Sequence, residues 1–374
     1  MNFIDNIFEK ESYIPKIIKE LKEQKFPLLF YGAGVTSNYL YGLLTENGVT
    51  IKDVVVDKEY YHENSQLMGR KIKIFEDILN SNEKVNVFIG FYTNRINLVK
   101  QRLFSLDKIN EVYLVDTPAI FGGVIELYTY RYIVDNLTKF NLLYNQLCDD
   151  VSKKIMCGFI NQRISQKMGY LDNLWTKDNY NPKDNYNPNE NIFNYNTDEI
   201  FIDCGAYDGD TIKSFVKNID LAGGNYSHLI AFEPDQQNFL KLQRLQNDIK
   251  NLCCINKGVW SKKMILNFNN SGTETSSISE DGNLSINVDS IDNILENEKA
   301  SYIKMDIEGA ELEALMGAKE TILMYKPKLA ICVYHKRNDL LEIPQYIKSL
   351  VPEYKFYLRI HNLFSTDLVL YAAI

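Results

Sequence analysis

The chain has 374 residues, 45% of them hydrophobic and 24% charged, with a formal net charge of −8 and a pI near 5.3. That length exceeds one ordinary domain and makes two the natural division, each with an ample core. The acidic balance argues against a protein that tracks along phosphate backbones, which needs clustered Lys and Arg; nor does any apolar run approach the roughly 20 residues of a membrane helix.

The opening residues, MNFIDNIFEKE, are amphipathic and mixed in charge, unlike a secretion signal. A helix is expected to about Gln24, then a buried strand Pro27–Tyr31 that runs into Gly32-Ala33-Gly34. A helix Thr36–Glu46, Gly48 and a strand Ile51–Val56 follow, ending on Asp57. This βαβ unit carries G-x-G at its turn and an acid after its second strand, a Rossmann-like arrangement with Ser37 in place of the third glycine. Strands at Val85–Gly90 and Glu111–Val115 complete a small Rossmann-like domain, residues 1–117. Its turn is compatible with a nucleotide, and it resembles those of small domains that hold sugar nucleotides beside bacterial sugar-modifying enzymes. A degenerate module that positions a partner explains the same residues equally well.

Residues 118–195 read as a helical connector and linker. Apolar residues recur at three- and four-residue spacing through Leu137, Leu143, Leu147 and Val151. A helix pair packed between domains is the simplest account, with Tyr128, Tyr130 and Tyr132 placed to roof a neighbouring site. KDNYNP at Lys177–Pro182 is then repeated unchanged at Lys183–Pro188. Asn, Pro and Asp cannot build a packed core, so this tandem hexamer marks a surface linker.

The second domain, residues 196–374, opens with IFIDCGAYDGDT at Ile200–Thr211. A buried strand ends at Asp203, a turn holds Gly205, Ala206 and Gly209, and a helix starts near Thr211: the first unit of a doubly wound α/β sheet. The turn lacks both G-x-G-x-x-G and G-K-[ST]. Its carboxylates at Asp203, Asp208 and Asp210 repel pyrophosphate but suit a ligand bearing an ammonium and a sulfonium. Strand Leu229–Glu233 comes next, and Glu233 at its end is placed to accept hydrogen bonds from both ribose hydroxyls of a nucleoside. Pro234 and Asp235 then start a helix to about Gln246. Strand Cys253–Asn256 continues through Gly258-Val259-Trp260. Met264–Phe268 and Ser285–Val288 are expected as added strands around the polar loop NNSGTETSSISEDGN. The fourth strand, Ala300–Met305, ends at Asp306, before Glu308-Gly309 and a helix through about Lys319. The six cysteines form no C-x-x-C pair and only Cys253 and Cys254 adjoin, so neither a zinc site nor a disulfide framework is expected and the setting is read as cytoplasmic.

IDCGAYDGDT, AFEPD, KMDIEGAELEALMGA and the closing DLVLYA together resemble the FkbM family of methyltransferases. The resemblance runs over about Ile200–Ile374, and its most specific part is the K-x-D-x-E-G-x-E block. It implies a class I methyltransferase fold: a seven-stranded, mainly parallel Rossmann-like sheet whose last strand runs antiparallel. It also implies S-adenosyl-L-methionine as donor and a hydroxyl on a sugar or other small molecule as acceptor, with no nucleic acid. The donor site would be lined by Asp203, Gly205, Ala206, Tyr207, Gly209, Asp210, Thr211, Glu233, Pro234, Asp235, Gly258 and Asp306.

Taking a proton from a hydroxyl calls for a positioned base, and Asp306, Glu308 and His335 are the candidates at the strand ends; His361 is a weaker one. Capping of the helix after Gly309 is the plain structural use of the two acids. The three side chains offer ligands for a divalent ion, but no tight ligand motif appears in the sequence and no metal is expected. A homo-oligomer is compatible with the sequence without being dictated by it.

Overall fold

The computed structural model describes residues 2–80, 83–93, 95–116, 128–174, 192–195, 197–269, 277–278, 284–296 and 298–374. The KDNYNP repeat and most of the loop after Phe268 lie outside them.

The first domain is built on β1 (Leu28–Tyr31), β2 (Asp53–Val56), β3 (Gln66–Leu67), β4 (Arg70–Ile74), β5 (Val85–Ile89) and β6 (Ile109–Tyr113). They form one sheet in the order β3-β4-β2-β1-β5-β6, parallel except for the short β3–β4 pair. The apolar runs LLFY and VNVFI are buried along their whole length, as parallel strands covered on both faces must be. The helix Val35–Glu46 follows the turn after β1 as expected.

Among the described residues of the connector, three helices stand out: Tyr130–Asp135, Leu137–Gln146 and Asp150–Ser165. The last is buried nearly all round, polar Asn161, Gln162 and Arg163 included. A buried polar side chain needs a partner, and here the partners tie three regions together. Asn161 Oδ1 accepts from the amides of Phe8 and Glu9 at 2.8 and 3.0 Å. Gln162 Nε2 donates to the Leu363 carbonyl at 2.8 Å, and the Arg163 guanidinium donates to the Ser365 and Tyr334 carbonyls. Leu363 and Phe364 also pack into one face of the first sheet, with Tyr31, Val87 and Ile89.

The second domain has β7 (Glu199–Cys204), β8 (Tyr226–Phe232), β9 (Leu252–Ile255), β10 (Gly258–Val259), β11 (Met264–Asn269), β12 (Ser277–Ile278), β13 (Leu284–Asp289), β14 (Tyr302–Met305), β15 (Lys328–Cys332), β16 (Lys355–Ile360) and β17 (Leu368–Ala373). Seven of them form a sheet ordered β16-β17-β15-β14-β7-β8-β9. The pairs from β9 to β15 are parallel, while β17 slots in antiparallel between β15 and β16. The added strands make a separate four-stranded sheet, β10-β13-β11-β12.

Two local expectations change. The helix after β8 starts just past Pro234 but spans Gln236–Arg244, ending before the expected Gln246, and Asp235 caps it: its carboxylate accepts from the Asn238 amide. The helix after Asp306 is broken into Glu311–Met316 and Lys319–Tyr325. A Cβ at Gly317 would meet the Trp260 carbonyl at 2.1 Å, so the break lies where another backbone passes against the helix. No helix among the described residues is long and apolar enough to cross a membrane, and all six cysteines are free thiols.

Candidate active site

The carboxyl ends of β7, β8, β14 and β15 lie side by side, and the chemistry-bearing side chains follow them. After β7 the chain turns at Gly205 with φ +83°, where a Cβ would come within 2.1 Å of the Asp306 carbonyl oxygen. Only glycine fits, and the close approach locks the end of β14 onto the turn. Gly209, at φ +84°, begins the helix Asp210–Leu221. The side chain of Asp210 accepts from the Thr211 amide at 2.7 Å, while Ala206 and Thr211 are buried. Tyr207 takes a left-handed φ of 48°, with the Lys241 ammonium 5.3 Å from its ring centre.

Asp203 does not face a cleft. It is fully buried beneath the turn and paired with Lys304 Nζ at 2.9 Å. Lys304 also donates to the Gly205 carbonyl at 2.8 Å, so one ammonium bridges strand and turn. Burial pushes the Asp203 carboxyl up to about 6 even with Lys304 beside it. Lys304 was not among the expected site residues. Its signal was a lone lysine inside the apolar strand YIKM, a position where a charge survives only when paired.

Glu233 follows β8 and is nearly buried. Its two carboxylate oxygens accept from the Tyr207 and Asp235 amides, each at 2.9 Å. Burial holds its pKa up, at about 7. Of the roughly four lone-pair sites of a carboxylate, two are then left for ribose hydroxyls. Asn256 donates to the Glu233 and Pro234 carbonyls and fixes this turn. Gly258 pairs with Val288, on the neighbouring small sheet. The glycine turn after β7 and the Glu233 carboxylate after β8 thus lie at adjacent strand ends.

Asp306, Glu308 and His335 come together. His335 Nε2 lies 3.4 Å from Asp306 Oδ1 and 3.7 Å from Glu308 Oε2, and the imidazole is 9% exposed. Its other nitrogen, Nδ1, is 2.9 Å from Glu311 Oε1. That oxygen also accepts from the Ile307 amide. Glu308 sits at a left-handed φ of 55°, which aims it back at the cluster instead of along the helix. Burial alone would lower the His335 pKa, but the three carboxylates, Glu311 foremost, raise it to about 10. Burial raises Glu308, against the pull of His335. The three carboxylates around the ring thus favour its protonated form, in which Nε2 is a donor toward Asp306 and Glu308.

Glu311 was the second residue missed. Three residues beyond Glu308, it reads as one more acid in the first turn of a helix, a common place for acids. The loop after His335 is fixed by Asp339, which accepts from the Lys336 amide at 2.7 Å. From the connector, Tyr128 and Tyr132 donate to the Arg337 carbonyl at 2.9 and 3.3 Å, and the Tyr132 ring lies 4.3 Å from the Arg337 guanidinium. His361 stands apart, with Nε2 2.8 Å from the Tyr371 hydroxyl and a pKa lowered by burial to about 3.

Comparison with known proteins bears on this arrangement. Residues 203–356 match the model of the methyltransferase FkbM domain. Over 99% of its length the chain is similar to the crystal structure of methyltransferase FkbM from Methylobacillus flagellatus KT, covering 96% of that chain at 22% identity and a TM-score of 0.71. That likeness extends the shared fold to both domains. An rRNA methylase from Streptococcus thermophilus matches 48% of this chain and 87% of its own, at 16% identity and a TM-score of 0.31. Fibrillarin of Aeropyrum pernix, solved with natively bound S-adenosyl-L-methionine, matches 48% and 67% at 10% identity and a TM-score of 0.31. No curated protein matches the sequence.

Proposed function

From the match of residues 203–356 to the methyltransferase FkbM domain we propose that the chain is an S-adenosyl-L-methionine-dependent O-methyltransferase acting on a hydroxyl of a sugar or related small molecule. A place in the cytoplasm, in the making of surface polysaccharide or a natural product, belongs to the same reading. The observation that carries it is the contact of two sites: the Gly205 turn rests on the Asp306 backbone, and the Asp306 side chain is part of the His335 cluster. The donor turn and the proton-handling groups thus share one residue.

When bound, S-adenosyl-L-methionine supplies a methyl group on a sulfonium, open to attack by oxygen. Glu233 would hold the ribose, the amides of the Gly205–Gly209 turn the amino-acid end, and Gly258 the base side. The chain's own task is to align an acceptor hydroxyl and take its proton. His335, held cationic by Glu311, is suited to donate a hydrogen bond that orients the acceptor oxygen. Glu308, its pKa raised by burial, is the group suited to receive a proton near neutral pH, with Asp306 beside it. Tyr132, Arg337 and Asn338 meet one another on the loop that follows His335, and their polar groups are of the kind that suits a hydroxyl-rich acceptor.

Calorimetry with S-adenosylhomocysteine tests the donor half. One site per chain is expected, lost in Gly205→Val; no heat from the wild type would sink the reading. For the acceptor half, His335→Ala and Glu308→Gln should each lower turnover by roughly 10²-fold with donor affinity nearly unchanged. Turnover near wild type at saturating donor would return these residues to a purely structural role.

A further inference from the structure

We propose that Asp306, Glu308 and His335 form a binding site for one divalent cation, with Glu311 as the group that orients the histidine. The sequence spacing carries no metal motif, because the ligands follow two different strands, with Asp306 and His335 29 residues apart. The fold brings them together: one oxygen of Asp306, one of Glu308 and a His335 nitrogen lie within 4.8 Å of one another. Ligands held about 2.1 Å from a cation at right angles sit about 3 Å apart. The 3.4 and 3.7 Å separations from Nε2 to the two carboxylates therefore need only a small contraction to close around an ion.

The imidazole supplies the second, independent observation. It is 9% exposed and Nε2 points between the two carboxylates, yet that nitrogen makes no hydrogen bond. Its Nδ1 is held 2.9 Å from Glu311 Oε1. A carboxylate on one imidazole nitrogen with the other aimed at an acidic pair is the arrangement that fixes the tautomer of a metal-binding histidine. A helix-capping role for the acids explains neither the buried, unbonded Nε2 nor the carboxylate behind it. One nitrogen and two oxygens suit a first-row divalent ion such as Mn²⁺, Fe²⁺ or Zn²⁺, which takes the place of the proton on Nε2, so that His335 and Glu308 act as ligands when it is bound instead of as hydrogen-bond donor and base.

Three protein ligands leave coordination positions for oxygens of the acceptor. The site would then take a substrate that presents one or two neighbouring hydroxyls, and the ion would lower the pKa of the one it holds. This last step rests on the methyltransferase reading; the ion site itself does not.

Mn²⁺ titrated into the full chain and followed by electron paramagnetic resonance tests the site. The free-ion signal should fall with a stoichiometry of one per chain. Asp306→Asn combined with Glu308→Gln should weaken binding at least about 10-fold, and Glu311→Gln, which leaves all three ligands in place, about 10-fold as well. Calorimetry with S-adenosylhomocysteine on the same samples reports folding and the donor reading separately. A wild type that binds S-adenosylhomocysteine but leaves millimolar Mn²⁺ free overturns the cation site alone. Mn²⁺ bound equally by the wild type and the Glu311→Gln and double variants also overturns it. If the double variant does not fold, Glu311→Gln decides the matter.

Discussion

The chain contains two strand–glycine-turn–helix units with the same topology, and their neighbours make them different. β5 lies parallel beside β1 as β14 lies parallel beside β7. In the first domain the residue that arrives over the glycine is Phe91, whose ring would stand 2.7 Å from a Cβ on Gly32. In the second it is Asp306, backbone against Gly205 and side chain toward His335. The acids after the second strands diverge in the same way. Asp57 is taken up by the Arg102 guanidinium and the Tyr31 hydroxyl, whereas Glu233 accepts, among the described residues, from the backbone amides of Asp235 and of Tyr207 in the neighbouring turn. A glycine-bearing turn thus says where a ligand can approach, and the adjoining strand decides whether anything there can bind or react.

The largest effect that would test this contrast is at the buried pair under the second turn. Lys304→Met leaves Asp203 buried without its partner and should cost about 3–5 kcal/mol in denaturant unfolding. Adding Asp203→Asn should recover part of that loss, since the orphaned charge is then gone. A Lys304→Met protein as stable as wild type would mean that the pair does not hold the turn.

Next in size is the glycine itself. Gly205→Ala forces a side chain into a left-handed conformation and against a backbone oxygen, a penalty of about 2–4 kcal/mol. S-adenosylhomocysteine binding should weaken with it. Gly34→Ala is the control in the first domain: nothing lies within 4 Å of its Cβ, and a residue at a helix start costs less than about 1 kcal/mol on this change. Equal losses at the two glycines, read from paired melting curves, would erase the distinction.

These variants also show what could be read before the fold was known. The alternation of apolar strand, glycine turn and helix placed β7, β8, β14 and β15 within a few residues, because buried parallel strands leave continuous apolar runs. It placed Glu233, Asp306 and His335 at their carboxyl ends for the same reason. Lys304 and Glu311 escaped notice because their roles are set by contacts between strands and across a turn. Neither helical nor strand period reports which neighbour a side chain will face. The break at Gly317 depends on the Trp260 backbone, 57 residues earlier in the chain, and was equally out of reach. The upward push on the His335 pKa comes from three carboxylates that meet it only in the fold.

A smaller effect is expected at the acid of the first domain. Arg102 is 45% exposed, so its pairing with Asp57 is screened by water, and Arg102→Met should cost about 1 kcal/mol or less. That sets it well apart from Lys304, although both cations face an aspartate. Urea titrations of the two single variants, run side by side, compare them directly; a loss at Arg102 matching that at Lys304 would show the first turn to be as tightly built as the second.

The smallest effect is expected where the sequence leaves a nucleotide site open. A ribose at the first turn would look to Asp57, but that carboxylate already accepts from Arg102 at 2.9 Å and from Tyr31 at 2.6 Å. A pyrophosphate would look to the ground above Gly32, where Phe91 packs edge-on against Tyr31. NAD, UDP-glucose and GDP-mannose should therefore shift the melting temperature of the full chain by no more than about 1 °C, since a ligand stabilises only with the logarithm of the ratio of its concentration to its Kd. Phe91→Ala clears the ring without touching Asp57, and Arg102→Met frees one partner of the acid without touching the ring. If the double variant gains a nucleotide-dependent shift that the wild type lacks, the two side chains are what closes the first turn. A shift of several degrees in the wild type, abolished by Gly34→Val, would reverse the comparison: the first turn would then be a working nucleotide site, with Asp57 released from Arg102 when its ligand arrives.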